Sequence, residues 1–555
     1  MAADQSSEGR QLYGLDPESR QMVLDTVGQL KKRLLTKDKI LEFDQKEIFP
    51  EETIREMLGP EIGLQLLMLP EAYGGMGGGA RDSCAITREM ARICIGITTA
   101  FFALQLGADP IIVGGTEKQK QKWLSAIAEG NTLVAYAVTE PDAGSNVAAI
   151  RTKADPVTND AGEIIGYKIN GSKQFISNGL YADFITILAN TPEGATFFVM
   201  EKDTEGYIRG KSEEKHGIRA SNTSPLTFSD AFVPVENLIG DIPGHGLKQA
   251  TKVFGYTRLM VAAMALGGGE TALDIAIAYA KERIQFKTSL SEKQGYTHKL
   301  ILPHVIRLTA ADAYIEEVAE RLDSGEKGLE VEGSIAKLFV TEAANKATDD
   351  AMQALGGYGY IAEYEVEKIK RDVRVTGIYE GTSEIQQNII STFRWKNTRK
   401  SKGKFYQSIS DEMDKLDAEF GDLGCRIYGL AARALNQTVT LVNDHRLTRR
   451  QYIMFALADM MTHVEVGAGL ARWASKCCRS GDSEGEKIKL VSRLFSNEVA
   501  QVVSQNILKI VLGCGEFEQK TTDDFLVKIG YTELKTSFQN IIKDMDQLAD
   551  IVFER

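Results

Sequence analysis

The spacing of apolar residues changes twice along this chain of 555 residues, and this restricts the folds that the chain can adopt. From Asp16 to about Ile127 the apolar residues recur mainly at helical spacing. From Leu133 apolar residues instead tend to recur at every second position, as in a strand. From Leu247 the helical pattern returns. Helices followed by strands and again by helices, without βα alternation, predict an α+β protein that is mostly α. Three runs read as strands: 133–138, 184–188 and 196–200.

The central region predicts an antiparallel, β-barrel-like domain. Within it, Asn170-Gly171 stands between two extended runs, as expected for a hairpin turn. No predicted strand is followed by a G-x-G-x-x-G pattern, so a dinucleotide would not be bound here by a Rossmann unit. We therefore expect a β domain with helical domains before and after it in the chain.

Helical spacing continues to the end of the chain and predicts two bundles. The first is a four-helix bundle, followed by a basic run from Arg394 to Lys404 that we interpret as a linker. Beyond it, apolar stripes predict a second bundle of four amphipathic helices, the first of which extends from Met413 to Leu430. The predicted domains are an N-terminal helical domain (1–130), a β domain (131–243), a C-terminal helical bundle (244–392), a basic linker (393–404) and a helical extension (405–555).

Composition and charge exclude some classes of protein. The net charge of −12 argues against a nucleic-acid binder, because contacts to phosphate require clustered Lys and Arg. The six cysteines show no C-x-x-C spacing, so we predict no metal site and expect a reduced compartment. Met1 to Arg20 shows no signal or transit pattern, and no uninterrupted apolar run reaches about 18 residues. We expect a soluble cytoplasmic protein, in which the basic linker is solvated rather than bound to a membrane surface.

The stretch from Gln353 to Gln386 concentrates residues that are suited to chemistry. It places three glycines in Gly356-Gly357-Tyr358-Gly359, and glycines let a backbone approach a bulky anionic ligand. It then sets Glu380 between Tyr379 and Gly381. A carboxylate on a turn in a partly apolar pocket has a raised pKa and is a better base near neutral pH. Glu380 is therefore the candidate general base.

Each of these features has a simpler explanation when it stands alone. Most glycine clusters are turns, and most isolated glutamates are solvated surface charges. Their conjunction, however, resembles the second signature of the acyl-CoA dehydrogenase family, and the resemblance extends over roughly residues 20–392. The matching residues that precede the Y-E-G-T turn are Gln353, Gly356, Gly357, Gly359, Glu363, Lys368 and Asp372.

Other segments resemble the flavin-binding segments of the same family, and the resemblance implies FAD as the cofactor. Ala137 to Asn146 resembles the first signature, which usually ends in Asp where Asn146 stands. Gly171 to Gly179 resembles a second flavin segment, with Phe175 where Trp is common; either ring could stack on the flavin. Arg283 to Phe286 resembles the segment that contacts the FAD of a neighbouring subunit, which implies at least a dimer. The implied cofactor-binding residues are Tyr136, Val138, Thr139, Gly144, Ser145, Phe175, Ser177, Arg283, Phe286, Gln353, Gly356, Gly357, Thr382 and Glu384.

Further residues match positions that face the substrate in the family. Phe254 to Arg258 lies where the family faces the CoA moiety. Thr257 stands where some members carry their base, which leaves Glu380 as the sole candidate. Phe101 and Phe102 are most simply core residues, although the match places them near the floor of the acyl pocket. The implied substrate-binding residues are Ser145, Phe254, Thr257, Arg258, Tyr379, Gly381, Phe101 and Phe102.

The resemblance implies α,β-dehydrogenation of an acyl-CoA, in which Glu380 takes the α-proton, FAD accepts the β-hydride and an electron-transferring flavoprotein receives the electrons. The helical extension resembles that of very-long-chain members and implies a homodimer. It suggests long-chain substrates, whereas Phe101 and Phe102 favour short or branched acyl groups, and we expect the latter. Two alternatives stay open: an acyl-CoA oxidase that uses oxygen, and a non-catalytic member that assembles through residues 405–555.

Overall fold

The computed structural model describes residues 14–555 and contains two compact units. The first runs to Met260 and includes Ala319–Leu329, and the second comprises Val261–Val318 and Glu330–Arg555. The first unit begins with six helices: α1 (Pro17–Arg33), α2 (Lys37–Gln45), α3 (Glu51–Met57), α4 (Ala80–Ile93), α5 (Ile95–Gly114) and α6 (Glu117–Ala128).

Helix α1 shows how local sequence specifies these helices. The Asp16 side chain caps its start by accepting two backbone N–H groups, each at 3.0 Å. Val23, Val27 and Leu30 recur every three or four residues, and all three are buried. The helical spacing predicted for this part of the chain is thus confirmed at the residues that carry it.

Seven strands follow and form one sheet: β1 (Val134–Ala137), β2 (Lys153–Thr158), β3 (Ile164–Ser177), β4 (Phe184–Thr191), β5 (Gly194–Glu201), β6 (Tyr207–Arg209) and β7 (Thr223–Pro234). The strand order is β1-β4-β2-β3-β7-β6, with β5 beside β4. The α+β class with mostly helical content is confirmed. The sheet is mixed rather than antiparallel, because β1 pairs with β4 in parallel. This pairing joins strands that β2 and β3 separate in the chain, so apolar spacing cannot reveal it; closure into a barrel stays a prediction.

The predicted hairpin turn at Asn170-Gly171 is wrong, because β3 runs straight through both residues. The pairing of β3 with β7 shifts register at this point, and the Asn170 side chain exchanges hydrogen bonds of 3.0 and 2.8 Å with Asp230 on β7. A Cβ on Gly171 would lie 2.6 Å from the Thr152 hydroxyl. The glycine therefore marks a close approach between strands rather than a turn.

The remaining elements are almost all helical. They are α7 (Gly246–Glu282), a short ribbon of β8 (Ile284–Gln285) and β9 (Thr288–Ser289), α8 (Gln294–Leu300), α9 (Leu302–Asp323), α10 (Glu330–Leu355), α11 (Glu365–Arg374), α12 (Ser383–Lys400), α13 (Lys404–Phe420), α14 (Cys425–Asp444), α15 (Gln451–Ser480), α16 (Gly485–Val511), α17 (Gln519–Lys528), α18 (Tyr531–Leu534) and α19 (Ile541–Phe553).

The predicted basic linker at 393–404 is also wrong, since α12 continues to Lys400. Arg394 is only 3% exposed, and its guanidinium donates to both carboxylate oxygens of Glu465 at 2.8 and 2.7 Å. A second carboxylate, that of Glu332, lies 3.0 Å from the same guanidinium, and the Tyr406 hydroxyl donates to Glu465 at 3.1 Å. The basic segment that we interpreted as a solvated linker therefore includes Arg394, which is buried against α10 and α15.

The first predicted helix of the extension is two helices. Helix α13 ends at Phe420, and α14 begins at Cys425. Gly421 and Gly424 between them both adopt positive φ angles, of 69° and 78°. Glycine reaches this conformation without the steric cost that a Cβ imposes, so the chain can turn while the apolar spacing continues across the break.

Among residues 14–555, three helices are long and apolar enough by length and composition to cross a membrane: α5, α7 and α15. The uninterrupted-run criterion used on the sequence missed them, because each contains scattered polar residues. Most of the apolar window of each helix is buried inside the protein. Packing in the protein interior therefore accounts for their apolar composition.

Candidate functional site

The first set of predicted site residues lies in the first unit, where β1 ends. Val138 is buried directly after the strand, whereas Gly144 and Ser145 are exposed on the loop that follows. The Thr139 carbonyl accepts the backbone N–H of Gln174 at 2.9 Å. This hydrogen bond ties the segment of the first signature to the end of β3, which carries the second predicted flavin segment.

A buried ion pair fixes the same two segments from inside. The Lys173 ammonium donates to the Glu140 carboxylate at 2.7 Å and to the Val138 carbonyl at 3.1 Å. The Glu140 carboxylate also accepts the backbone N–H groups of Arg151 and Thr152, at 2.6 and 3.0 Å. Burial lowers the pKa of Lys173 to about 8, against the opposing effect of Glu140, and both groups are charged near neutral pH. Removing either partner would leave an uncompensated buried charge.

The second flavin segment presents an aromatic ring to solvent. Phe175 has a φ of +60° and its ring is 63% exposed, at a register shift between β3 and β7. A phenylalanine in the left-handed region is strained, and an exposed ring of this size is unusual. Ser177, two residues later, is half-buried and pairs with Thr223. The bulge therefore places the ring of Phe175 and the hydroxyl of Ser177 at the end of one strand.

Several predicted substrate residues pack together in the first unit. The rings of Tyr136 and Phe254 meet edge to face, with centroids 6.1 Å apart. Both rings pack against the apolar cluster that contains Phe101. Phe101, Phe102 and Thr257 are all buried. The simpler interpretation of the two phenylalanines as core residues thus agrees with their burial. Arg258, also predicted to bind substrate, follows Thr257 on α7 and is half-buried.

The second set of site residues lies in the second unit, on the turn that leads into α12. Glu380 and Gly381 both adopt left-handed backbone conformations, with φ angles of 55° and 89°. Glu380 is half-buried, and the hydroxyl of the adjacent Tyr379 lies 3.1 Å from the Met264 sulfur. A non-glycine residue in this conformation persists only where its surroundings hold it there, and such residues concentrate at functional sites.

Two side chains hold the backbone of this turn. Lys337 is fully buried on α10, and its ammonium donates to the Gly381 carbonyl at 2.8 Å. The Gln386 amide is also buried and donates to the carbonyls of both Glu380 and Gly381, at 3.1 and 2.9 Å. Hydrogen bonds from α10 and α12 therefore set the orientation of the two peptide groups that follow Glu380.

Thr382 and Glu384 follow at the start of α12. The Thr382 hydroxyl accepts the backbone N–H of Ile385 at 3.4 Å and caps the helix. Glu384 is exposed; hydrogen bonds to its own backbone N–H and to Thr382 lower the pKa of its carboxyl. Their contacts within the described residues are those of a helix start, which carries partial positive charge.

The glycine-rich segment lies between α10 and α11 in the second unit. Gln353, Gly356 and Gly357 are exposed, and a Cβ added to either of these glycines would meet no atom within 4 Å. Gly359 differs, because a Cβ there would lie 2.3 Å from the Met352 carbonyl oxygen. The first two glycines therefore leave open space beside the backbone, and the third is required by packing.

Two further predicted site residues, Arg283 and Phe286, are exposed in the second unit. The Arg283 guanidinium carbon lies 5.8 Å from the centroid of the Tyr358 ring. Phe286 has a φ of 52°, and its ring is 88% exposed. Together with Gln353 and the open glycines, they provide cationic, aromatic and backbone groups that face solvent within the second unit. No group of three or more His, Cys, Asp or Glu residues within 14–555 could hold a metal ion.

Comparison with known proteins gives three family matches: the N-terminal domain of acyl-CoA dehydrogenase over residues 17–131, the middle domain over 135–231 and the C-terminal domain over 244–393. The chain is 39% identical over 357 residues to an acyl-CoA dehydrogenase, short-chain specific, from Clostridium acetobutylicum, which covers 63% of this chain and 91% of the relative. This chain belongs to the acyl-CoA dehydrogenase family. As a member, it is an oxidoreductase that acts on a CH–CH group.

Two solved structures extend the comparison of this family member. One is a chain from work on the electron transferring flavoprotein of Acidaminococcus fermentans and flavin-based electron bifurcation; it has a TM-score of 0.63 and 34% identity, and covers 68% of this chain and 98% of its own. The other is an acyl-CoA dehydrogenase complexed with FAD from Bacillus anthracis, with a TM-score of 0.82 over 98% of this chain and 96% of its own. At 24% identity the second likeness shows the fold, which here includes the extension.

The sequence pattern of the acyl-CoA dehydrogenase family identified the turn and the two predicted flavin segments but missed the side chains that support them. Lys337 and Gln386 support the turn, and Glu140 and Lys173 join the two flavin segments. Glu140 lies inside the first signature, so its position between a strand and a turn was a usable signal. Lys173 and Lys337 gave none, because a lysine is usually exposed and nothing local indicates burial.

Proposed function

We propose that this family member is an FAD-dependent acyl-CoA dehydrogenase that converts an acyl-CoA thioester into the trans-2-enoyl-CoA. The observation that carries the proposal is Glu380, a half-buried carboxylate in a strained left-handed turn whose carbonyls are held by Lys337 and Gln386. A general base that removes a proton from carbon must be held in a fixed position relative to that carbon. Thr257, at the alternative position for the base, is fully buried and has no basic group.

The residues present fit FAD. Gly356 and Gly357 leave open space beside the backbone, as the close approach of a bulky anionic group requires. Phe175 and Phe286 expose apolar rings that would otherwise face water. We propose that Thr139, Ser145 and Ser177 hold FAD through hydroxyl and backbone donors, with the ring of Phe175 beside them. When bound, FAD supplies the acceptor for the β-hydride.

The protein's own residues do the remaining work. Glu380 removes the proton from the α-carbon, which the neighbouring thioester carbonyl acidifies. The family resemblance assigns the backbone N–H of Glu380 to the thioester oxygen. A backbone donor at this position stabilises charge that develops on the oxygen. Lys337 and Gln386 hold the two peptide groups that follow Glu380 and so support the turn that carries this N–H.

The experiment that tests this proposal is the substitution Glu380→Gln. We expect the purified variant to stay yellow and to lose flavin bleaching by acyl-CoA, with turnover lowered by roughly 10²–10⁴-fold, the range for loss of a general base. Glu330→Gln, an exposed carboxylate at the start of α10, is the matched control and should keep full turnover. Retained turnover in the Glu380 variant would refute the assignment of the base. A colourless purified parent would favour a non-catalytic member.

For the substrate and the electron acceptor we propose a short or branched acyl-CoA and an electron-transferring flavoprotein. Two buried phenylalanines, Phe101 and Phe102, and the similarity to a short-chain-specific relative support the first. Similarity to a chain from work on an electron transferring flavoprotein supports the second. Acyl-CoAs of increasing chain length with a dye acceptor test the preference, and highest kcat/KM with the longest chain would contradict it. Oxygen consumption with peroxide release would instead indicate an oxidase.

We also propose that the enzyme is a homodimer in which Arg283 and Phe286 contact the FAD of the second copy. Both side chains are exposed in the single chain, and a guanidinium suits a pyrophosphate because its donors form a planar fork. Sedimentation analysis of the FAD-loaded enzyme should give twice the mass of one chain. A monomer that retains FAD and turnover would contradict this arrangement.

A further inference from the structure

The ribbon that carries Arg283 and Phe286 (residues 283–289) has little support of its own. Strands β8 and β9 pair through two residues each, and an isolated two-stranded ribbon is marginally stable at best in water. Phe286 and Lys287 at its tip adopt left-handed backbone conformations, with φ angles of 52° and 72°. The side chains of Ile284 and Phe286 are largely exposed, so the ribbon buries little apolar surface. Its position therefore depends on contacts at its two ends.

Glu554 and Arg555, which follow α19, contact both ends of this ribbon. The Lys281 ammonium, two residues before the ribbon, lies 3.0 Å from the Glu554 carboxylate. The Arg555 guanidinium donates to the Ser291 carbonyl, two residues after the ribbon, at 3.0 Å. These partners are 273 and 264 residues apart in the chain. A short segment of the helical extension thus spans the base of the ribbon.

Asp546 on α19 makes a third contact, just beyond the ribbon. Its Oδ1 atom accepts the Gln294 amide at 2.8 Å and lies 3.1 Å from the His298 ring nitrogen Nε2. Both partners belong to α8, the helix into which the ribbon leads. A single oxygen of Asp546 therefore meets two side chains of α8, and the amide oxygen of an asparagine could take the same place.

Helix α19 is itself fixed to the rest of the extension. The Arg493 guanidinium on α16 donates to both carboxylate oxygens of Asp544, at 2.7 and 2.9 Å. Bidentate pairs of this kind are among the stronger polar contacts in proteins, because two parallel bonds fix both position and orientation. Leu548 and Phe553 on the same helix are buried. Because α19 is held independently of the ribbon, it can hold the ribbon in place.

We propose that α19 and the two residues after it position the ribbon for the FAD of the second copy, with Asp546 and Arg555 as positioning residues. This inference rests on the proposed contact of Arg283 and Phe286 with that FAD. It gives the helical extension a role in holding the cofactor. Each contact is partly exposed and contributes modestly, so the effect comes from several contacts that act on one short ribbon.

The test follows FAD release from the FAD-loaded, full-length enzyme on dilution, by flavin fluorescence, together with hydrogen exchange across residues 283–294. Asp546→Ala should raise the FAD dissociation constant about two- to tenfold, the effect of losing one hydrogen bond, and should speed exchange in the ribbon. Arg555→Ala, which removes the bond to the Ser291 carbonyl, should act in the same direction. Asp546→Asn keeps the oxygen that Gln294 uses and should stay within about twofold of the parent. Added FAD should restore the turnover of Asp546→Ala, which it would not do after a general loss of folding.

Asp524→Ala, which removes the same charge from an exposed position on α17, is the matched control and should equal the parent. Arg283→Ala separates this inference from the proposed function. If Arg283→Ala weakens FAD binding and neither Asp546→Ala nor Arg555→Ala does, the positioning role is wrong and the proposed FAD contact stands. Unchanged FAD binding in Arg283→Ala would refute the proposed contact and the inference that rests on it. Equal weakening by the Asp546 and Asp524 variants would overturn the inference alone.

Discussion

Replacing Lys337 by Met should impair turnover far more than it impairs folding. The ammonium of Lys337 is fully buried and donates to the Gly381 carbonyl at 2.8 Å, one peptide beyond Glu380. Methionine has a similar length and no donor, so it can fill the same space without leaving a charge. Removing the buried charge also removes its desolvation cost, which offsets part of the lost hydrogen bond, so we expect only a modest loss of stability. The substitution should therefore lower turnover through its effect on the turn and leave the packing of α10 largely unchanged.

The size of the kinetic effect follows from the hydrogen bond. A hydrogen bond from a charged donor contributes about 1.5–3 kcal/mol, and each ~1.4 kcal/mol is tenfold in rate. If all of this energy acts on the transition state, kcat falls between about tenfold and about 150-fold. Gln386 still donates to the same carbonyl at 2.9 Å, so we expect the lower end of this range. KM should change little, because the lysine supports the turn and does not face the thioester.

The assay is steady-state turnover with a dye acceptor, together with flavin absorbance and a thermal melt. Lys346→Met, an exposed lysine on the same helix, is the control and should match the parent in all three measurements. A Lys337→Met variant with normal FAD content and a kcat within twofold of the parent would refute this explanation of the turn. A collapse of the melting temperature with proportional loss of FAD would show a purely structural role instead.

Three further predictions concern folding. Arg394→Met leaves Glu465 buried without its cation and should lower the free energy of unfolding by about 3–5 kcal/mol in urea; an unchanged midpoint would contradict the buried network. Gly359→Ala should lower the melting temperature, since its Cβ would lie 2.3 Å from a carbonyl oxygen, whereas Gly357→Ala, with no atom within 4 Å, should not; the opposite order would be inconsistent with this packing. Burial lowers the pKa of His304 below 6.5, so at lower pH the unfolded chain binds a proton that the folded chain does not. Stability should fall as pH decreases from about 6.5, by at most ~1.4 kcal/mol per pH unit, and His304→Gln should flatten that slope in urea titrations.

Much of the functional assignment was present in local sequence. The helical spacing that places Val23, Val27 and Leu30 on one face needs no partner to be recognised. The Y-E-G-T turn is equally local, because Glu380, its neighbours and the helix cap Thr382 are consecutive in the chain. Features of this kind depend on short-range backbone geometry, and so the sequence predicted both the candidate base and the elements around it.

The errors and omissions share one cause. Asn170-Gly171 resembles a hairpin turn, yet β7 and Thr152 close on it from elsewhere and keep it extended. Arg394 resembles a solvated charge until Glu465 is placed against it, 71 residues away in the chain. In each case the local pattern fits two structures equally well, and a distant segment selects one of them.

The sequence by itself thus determined the kind of protein and the order of its main elements, and it predicted the candidate base. Only the tertiary structure decided how that residue is held, through Lys337, which lies 44 residues from the carbonyl that it supports, and through Gln386. It also decided which charges are buried in pairs, such as Arg394 with Glu465. The physical reason is that burial and hydrogen bonding are properties of neighbours in space, and a single side chain does not carry them in its sequence position.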